Sequence, residues 1–411
     1  MRRNHRGGVR MTNERVYGAD KVRLYPNVTM QQFLMACCHA YRYFHNEALA
    51  LNNQLFKRFH ETNDVTYYPS RYTLSKELTK RRHELFWCGQ VPAKLIQCAC
   101  FDVVRAWERH MRHPDIAGRP TFTSRKHAEL RFTVEGFRIV NGKLYLSKPL
   151  GYAKKLYGIK IRGLRDLTPR ERRQHQKITI RYRNGKWFAS IPWTKGYRPT
   201  VRQKDRRPIN AVDLNVGHYT DITGNYDIEP QNLKNLRSKI RACDRIVSKK
   251  RVRNTCWMTS KRYAKAKAKR AVLYAKSANV QHDLIDKYVN WLVTNYDCVV
   301  IEDLDVRAML HGIASRGVSR SGFGYFRVRL ERSAILHDTE IIVADRLYPS
   351  TQRCSSCGHV KTGNDRITLR GNAKHHTSHD EYVCYEYGFT CDRDVNAVLN
   401  LLQYPNLTTI G

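Results

Sequence analysis

Three short segments of the chain each set a carboxylate in an apolar context punctuated by asparagine or a second acid. They are Ile209-Asn-Ala-Val-Asp213-Leu-Asn215, Val299-Val-Ile-Glu302-Asp-Leu304 and Asp392-Arg-Asp394-Val-Asn-Ala397. An acid placed in or beside a buried strand is costly unless something cationic meets it. Lys and Arg number 74 against 36 Asp and Glu, a formal net charge of +38. In so basic a chain, converging carboxylates have an obvious use, to hold divalent metal against a phosphodiester. Two hard cations about 4 Å apart activate a water and stabilise the leaving oxygen of an in-line displacement, so the chemistry implied is that of a nuclease. Each acid taken singly has a plainer role. Asp394 suits the first turn of a helix, and Asp213 could cap a strand end. The weight lies in all three occurring together. Asp303, Asp305, Asp345 and Asp392 lie nearby, but period two turns Asp303 away from the face of Glu302 and Asp392 suits a helix N-cap.

A second constellation is built on sulfur. Cys354-Ser-Ser-Cys357-Gly358 is a tight knuckle that presents two thiolates, with a glycine to relieve the turn. Downstream, Cys384-Tyr-Glu-Tyr387-Gly388 repeats the glycine but has tyrosine where a fourth thiolate belongs. A phenol with a pKa near 10 is a poor zinc ligand. Twenty-six residues separate Cys357 from Cys384, more than the usual ribbon gap of about 15–20. Cys354, Cys357 and Cys384 are therefore the candidate zinc ligands, and Cys391, His375, His376 or His379 could supply the fourth. A ribbon that keeps its shape without metal is the alternative.

The charge itself points to a polyanionic partner whose binding weakens steeply with salt. No apolar run approaches the roughly 18 residues of a spanning helix, and no apolar core follows the basic start, Met1-Arg-Arg-Asn-His-Arg6. The reading is a cytoplasmic protein, nucleoid-associated when on target, with no membrane partner. From Lys234 to Lys276 the chain carries sixteen Lys or Arg and one acid, Asp244. Apolar Leu236, Ile240, Cys243 and Val247 recur at helical spacing there. Ordinary surface helices alternate charge. A pair of helices this short of acids faces nucleic acid, with Lys249, Lys250, Arg251, Arg253, Lys261, Arg262, Lys265 and Lys269 as contacts. Tyr41, Tyr43, Tyr67 and Tyr68 stand among basic residues and could stack on bases, although core or surface packing accounts for most such tyrosines.

These residues need two different scaffolds. Val16 to Tyr25 reads as a strand, followed by a long helix whose stripe is Phe33, Cys37, Ala40, Phe44, Ala48, Leu51 and Leu55. Helices are expected at Tyr72–Trp87 and Pro92–Arg112, the latter with Pro92 in its first position. From about 128 to 193 the period is two, with strands at 130–134, 143–146, 158–161, 177–182 and 187–191 and turns at Asn141-Gly142 and Asn184-Gly185. A basic leader (1–15) precedes a β domain of 16–203 with a helical insert of about 28–115. A linker at 205–208 then opens a second domain, 204–411, containing the acids and a cysteine-bearing insert of about 350–391. Strands are expected at 297–304 and 341–344, with helices at 325–337 and from Asp392 to Leu402. Residues 311–324, with four Gly and three Ser, read as a mobile loop.

The ordered series Asp213, Glu302, CxxC and DRDVNA resembles the transposon-encoded TnpB proteins and their descendants, the miniature type V CRISPR effectors. Val212-Asp213-Leu214, Val300-Ile-Glu302-Asp-Leu304 and Asp392-Arg-Asp394-Val-Asn-Ala397 resemble the three RuvC motifs. Ser350-Thr-Gln-Arg-Cys-Ser-Ser-Cys-Gly358 resembles the zinc-ribbon entry, and Lys21-Val-Arg-Leu-Tyr-Pro26 the N-terminal entry. The resemblance implies an α/β plus β architecture. It consists of an RNase H-like RuvC nuclease domain with an inserted zinc ribbon, behind a β-barrel wedge domain carrying a helical recognition insert. It also implies an RNA-guided DNA endonuclease, transposon- or CRISPR-associated. Asp213, Glu302 and Asp394 would be its catalytic Mg²⁺ ligands, residues 311–324 its lid, and guide RNA with double- and single-stranded target DNA its partners. A homodimer is compatible with it. An RNA-guided DNA-binding repressor that does not cut is the alternative. The chain departs from the family pattern at Tyr387, in place of a ligand cysteine, and at Asn215, in place of a glycine.

Overall fold

The computed structural model describes residues 15–124, 129–147, 158–164, 177–196, 208–252, 260–312, 315–368 and 370–408. Nearly all of the expected leader, most of the 205–208 linker and Arg253 lie outside the described residues. The chain divides at Gly196 into two compact units.

The first unit begins with β1 (Arg15–Tyr25) and α1 (Val28–Thr62). The Asn27 side chain accepts a hydrogen bond from the Met30 amide at 2.8 Å and so caps α1. The stripe Phe33, Cys37, Ala40, Phe44 and Ala48 is buried. It packs against Leu74 and Leu78 of α2 (Arg71–Glu84) and Leu95, Cys98 and Val103 of α3 (Ala93–Arg112). Pro92 sits one residue earlier than expected, as the cap of α3. Six further strands follow: β2 (Arg131–Glu135), β3 (Phe137–Val140), β4 (Lys143–Leu146), β5 (Ile159–Arg162), β6 (Lys177–Arg183) and β7 (Lys186–Gly196). With β1 they form one antiparallel sheet in the order β2-β6-β7-β1-β5-β4-β3. The end strands β2 and β3 are consecutive in the chain, with only Gly136 between them at φ 77°. The period-two reading did not separate β3 from its neighbours. Asn141-Gly142 and Asn184-Gly185 both take positive φ, the backbone of tight hairpin turns whose twist matches the strands.

The second unit opens with β8 (Ile209–Leu214), β9 (His218–Asp221) and β10 (Gly224–Asp227), a meander. Two long helices follow, α4 (Gln231–Val252) and α5 (Lys261–Asn295). Then come β11 (Cys298–Glu302), α6 (Val306–Met309), α7 (Ser315–Ser321), α8 (Phe323–His337) and β12 (Glu340–Ala344). The unit closes with β13 (Glu381–Val383), β14 (Thr390–Asp392) and α9 (Arg393–Thr408). The sheet order is β10-β9-β8-β11-β12, with β8, β11 and β12 parallel. Its two faces have separate cores. Val212, Leu214, Val299 and Ile301 pack with Ile285, Val289 and Leu292 of α5 and Phe326 and Leu330 of α8. Ala211, Cys298 and Val300 pack with Val398 and Leu401 of α9.

Two expectations are corrected here. Residues 311–324 are not a single loop: α7 occupies 315–321 and α8 begins at Phe323. Val318 and Phe323 are 3% and 2% exposed, and their burial outweighs the low helix propensity of the glycines. The last helix does not end at Leu402 but continues through Pro405 to Thr408. Tyr404 in that added turn packs its ring 4.9 Å from Tyr348.

Candidate active site and cysteine cluster

Strand parity positions two of the acids. Ala211 and Val300 face α9, so Asp213 and Glu302, two residues further along each strand, turn to the same side. The parallel register pairs Ile301 with Val212, which brings Glu302 and Asp213 level at the strand ends. Asp394 lies in the first turn of α9 on that face. Asp213 thus lies near enough to Glu302 and Asp394 for both charges to act on it, and each acid has a hydrogen-bond donor. Asn215 Nδ2 donates to Asp213 Oδ2 at 2.7 Å, and Ser350 Oγ donates to Glu302 Oε1. Asp394 receives Arg393 Nη2 on Oδ1 at 3.0 Å, and His218 Nε2 lies 3.1 Å from its Oδ2.

Burial, then the charges of Glu302 and Asp394, push the Asp213 carboxyl up to about 8. Burial also raises Glu302, against the opposing pull of the Ser350 hydroxyl. Converging acids held this way repel one another when ionised. A divalent cation is the group that fits, because it supplies the positive charge that offsets gathered carboxylates. The expected decoys fall elsewhere. Asp303 pairs with Arg327 at 2.7 Å and Arg346 at 2.9 Å, and the Asp392 side chain caps α9 through the amides of Asp394 and Val395.

The sulfurs of Cys354, Cys357 and Cys384 lie within 4.8 Å of one another, a set of soft donors that fits zinc. The two knuckles share a backbone. Gly358 N donates to Cys354 O and Cys354 N to His359 O, at 2.9 and 2.8 Å; Gly388 N donates to Cys384 O and Cys384 N to Phe389 O, at 2.8 and 2.7 Å. Gly358 and Gly388 both take positive φ. Tyr387 occupies the slot that Cys357 fills in the first knuckle, and it is 72% exposed. Burial pushes the Cys354 thiol up, but the amides of Cys357 and Ser356 together with the Cys357 and Cys384 thiols outweigh it and the net shift is down. Among the described residues none of the four candidate fourth ligands joins the cluster. Cys391 shares its small core, His375 pairs with Asp365 at 2.8 Å and stacks on Tyr385, and His379 lies 4.0 Å from Asp380.

The basic helices α4 and α5 bury Leu236, Ile240, Cys243, Val247 and Tyr263. Lys249, Arg251, Lys261, Arg262, Lys265 and Lys269 are exposed and Lys250 half-buried. Asp244 is engaged by Arg270 and Tyr274.

Sequence reasoning did not assign roles to Ser350, His218, Asn396 or Asn400. Asn396 and Asn400 are fully buried. Asn400 Nδ2 donates to Ser350 O at 2.8 Å, and both amides reach Arg353 O at 2.7 Å. They tie the cysteine-bearing segment to α9, within two turns of Asp394. An apolar helix interrupted by Asn at i and i+4 was the available signal.

Residues 199–311 match the family model described as "Probable transposase" (OrfB_IS605), and residues 323–401 match "Cas12f1-like, TNB domain". A Streptomyces pristinaespiralis protein named "Putative RNA-guided DNA endonuclease" is 28% identical over 393 residues, covering 95% of this chain and 89% of that protein. A Mycobacterium tuberculosis protein with a name of the same form is 23% identical over 290 residues, covering 66% of this chain and 58% of its own. Among solved structures, the Cas12f1-sgRNA-target DNA complex aligns with TM-score 0.55 at 14% identity, over 92% of this chain and 83% of the other. That likeness is one of fold.

Proposed function

We propose, from the premise that the chain belongs to the TnpB-like family that also includes the miniature CRISPR effectors, that it is an RNA-guided DNA endonuclease. The observation that carries this reading is that Asp213, Glu302 and Asp394 lie at one end of a mixed sheet, near enough for the charges of the last two to act on the first. We read the second unit as an RNase H-like RuvC domain with an inserted zinc ribbon. The first unit, with its end strands joined at Gly136, we read as a wedge barrel carrying the recognition helices α1 to α3. On this reading the domains run 16–203 and 204–411.

Asp213, Glu302 and Asp394 would hold Mg²⁺, which when bound activates water for attack on the scissile phosphate and offsets charge on the leaving oxygen. The products are a 5′-phosphate and a 3′-hydroxyl. The surrounding side chains orient the acids. Asn215 occupies Asp213 Oδ2 and leaves Oδ1 to ligate. Ser350 fixes the rotamer of Glu302, and Arg393 with His218 fixes that of Asp394. Such donors hold a ligand set near its working geometry before metal arrives. Cys354, Cys357 and Cys384 would hold zinc through three thiolates, which would lock both knuckles and the segment that follows Ser350. The exposed cations of α4 and α5 lie where a phosphate backbone would add affinity without reading sequence.

The test begins with the RNA. The complex is purified, its RNA sequenced, and DNA duplexes matching that RNA are offered with randomised flanks. Cleavage that needs Mg²⁺ and stops with EDTA is expected. An RNA-free protein, stable at moderate salt, would refute the reading.

A further inference from the structure

The cutting reaction makes no use of an open cleft of about 450 Å³ in the first unit, lined by α1, α3 and residues 68–72. Its volume falls in the range of small-ligand sites, roughly 300–1,000 Å³. Phe56, Tyr68 and Trp107 form one aromatic group, with Phe56 6.5 Å from Tyr68 and 5.8 Å from Trp107 between ring centres. Tyr72 and Phe101 form another, 6.3 Å apart, and the Arg71 guanidinium lies over both at 4.9 and 5.4 Å. Tyr68 and Tyr72 are 46% and 66% exposed. The indole N–H of Trp107 is buried and has no acceptor among the described residues.

This lining is not that of an ordinary apolar groove. Arg71 and Arg105 line it, and Arg119 lies over the Trp107 ring at 5.4 Å. Among the described residues of the lining stands one acid, Glu108, bridged to Arg112 only at 4.0 Å. Aromatic faces and guanidinium planes together make a platform for nucleobases. A carboxylate repels phosphate, so it favours a base edge over the backbone. It pairs best with guanine, whose N1–H and N2–H₂ present two adjacent donors. Adenine and cytosine present a single amino group.

We propose that this cleft seats one unstacked guanine of the RNA that the protein carries, stacked on Tyr68 or Tyr72 and read by Glu108. The proposal rests on the RNA-guided reading. It takes RNA rather than DNA as the occupant because, on that reading, RNA is the strand the protein carries before it meets a target. Arg71 and Arg105 would meet the flanking phosphates.

The experiment irradiates the purified RNA–protein complex at 254 nm, digests it and sequences the cross-linked peptides by mass spectrometry. Ribo-guanosine adducts on Tyr68 or Tyr72 are expected, with total yield at least tenfold lower when Tyr68→Ala and Tyr72→Ala are combined. Glu108→Gln, a change at an exposed carboxylate, should spread the adducts over other bases. Asp213→Ala should leave the pattern unchanged. RNA present without adducts on these tyrosines, deoxynucleotide adducts, or a base distribution that ignores Glu108→Gln would each overturn the proposal. A preparation with no RNA at all would instead sink the RNA-guided reading.

Discussion

Asp213→Asn should stabilise the metal-free protein while abolishing cleavage, and the gain should depend on pH with a definite sign. The carboxyl is 4% exposed and is raised from an ordinary value near 3.8 to about 8. Its folded pKa lies above its unfolded one. The folded state therefore keeps a proton that the unfolded state gives up, and stability falls as pH rises from about 4 to about 8. A gap of about four units at 1.36 kcal/mol per unit sets a ceiling near 5 kcal/mol on the cost at pH 8. Because Asp213 and Glu302 are coupled, roughly half of that is a reasonable yield. Asn carries no charge to bury and keeps the shape. Thermal unfolding in EDTA should show the Asn variant several degrees more stable than the parent at pH 8 and nearly equal to it at pH 4. Added Mg²⁺ should narrow the difference at pH 8, because metal stabilises only the ionised parent. A variant less stable than the parent at pH 8, or a gain of equal size at pH 4, would refute the reasoning.

Other consequences can be measured separately. Ser350→Ala removes the hydroxyl that orients Glu302. Single-turnover cleavage should slow about tenfold, in line with about 1.5 kcal/mol for a hydrogen bond to a charged group, while RNA binding is unchanged. Tyr387→Cys places a fourth thiol in a knuckle whose backbone already matches its partner. Zinc retention against a chelator should rise at least tenfold over the parent. Neutralising Lys261, Lys265 and Lys269 together should weaken nucleic-acid binding uniformly across sequences. The slope of log affinity against log salt should flatten by about one for each phosphate that the protein no longer neutralises.

The face to which the acids turn could be read from the chain because two rules act locally at them. Period two decides which way Asp213 and Glu302 turn, and the apolar i+3 and i+4 partners of Asp394 decide which face of α9 it shares. The cores of α1 and α3 were legible for the same reason. Residues 311–324 misled because glycine and serine dominate the composition there. Their order comes from Val318 and Phe323 joining the core that α5 also lines, with residues distant in sequence. His218 reaches Asp394 only because the β8–β9 turn folds it back. Ser350 reaches Glu302 only because Asn396 and Asn400 hold its segment, and a polar residue on a helix looks the same whether it faces water or a buried carbonyl. The Tyr387 knuckle kept its turn because Gly388 and the amide hydrogen bonds, rather than the missing thiolate, determine the backbone.

The most direct measurement is single-turnover cleavage of a duplex matched to the copurified RNA, comparing parent, Asp213→Ala, Glu302→Gln and Asp394→Asn in the same Mg²⁺ buffer. The parent should cut, and each variant should bind the same target while cutting at least a thousandfold more slowly, a barrier increase of about 4 kcal/mol. A single variant that cuts at the parental rate would show that the three carboxylates do not form one catalytic centre.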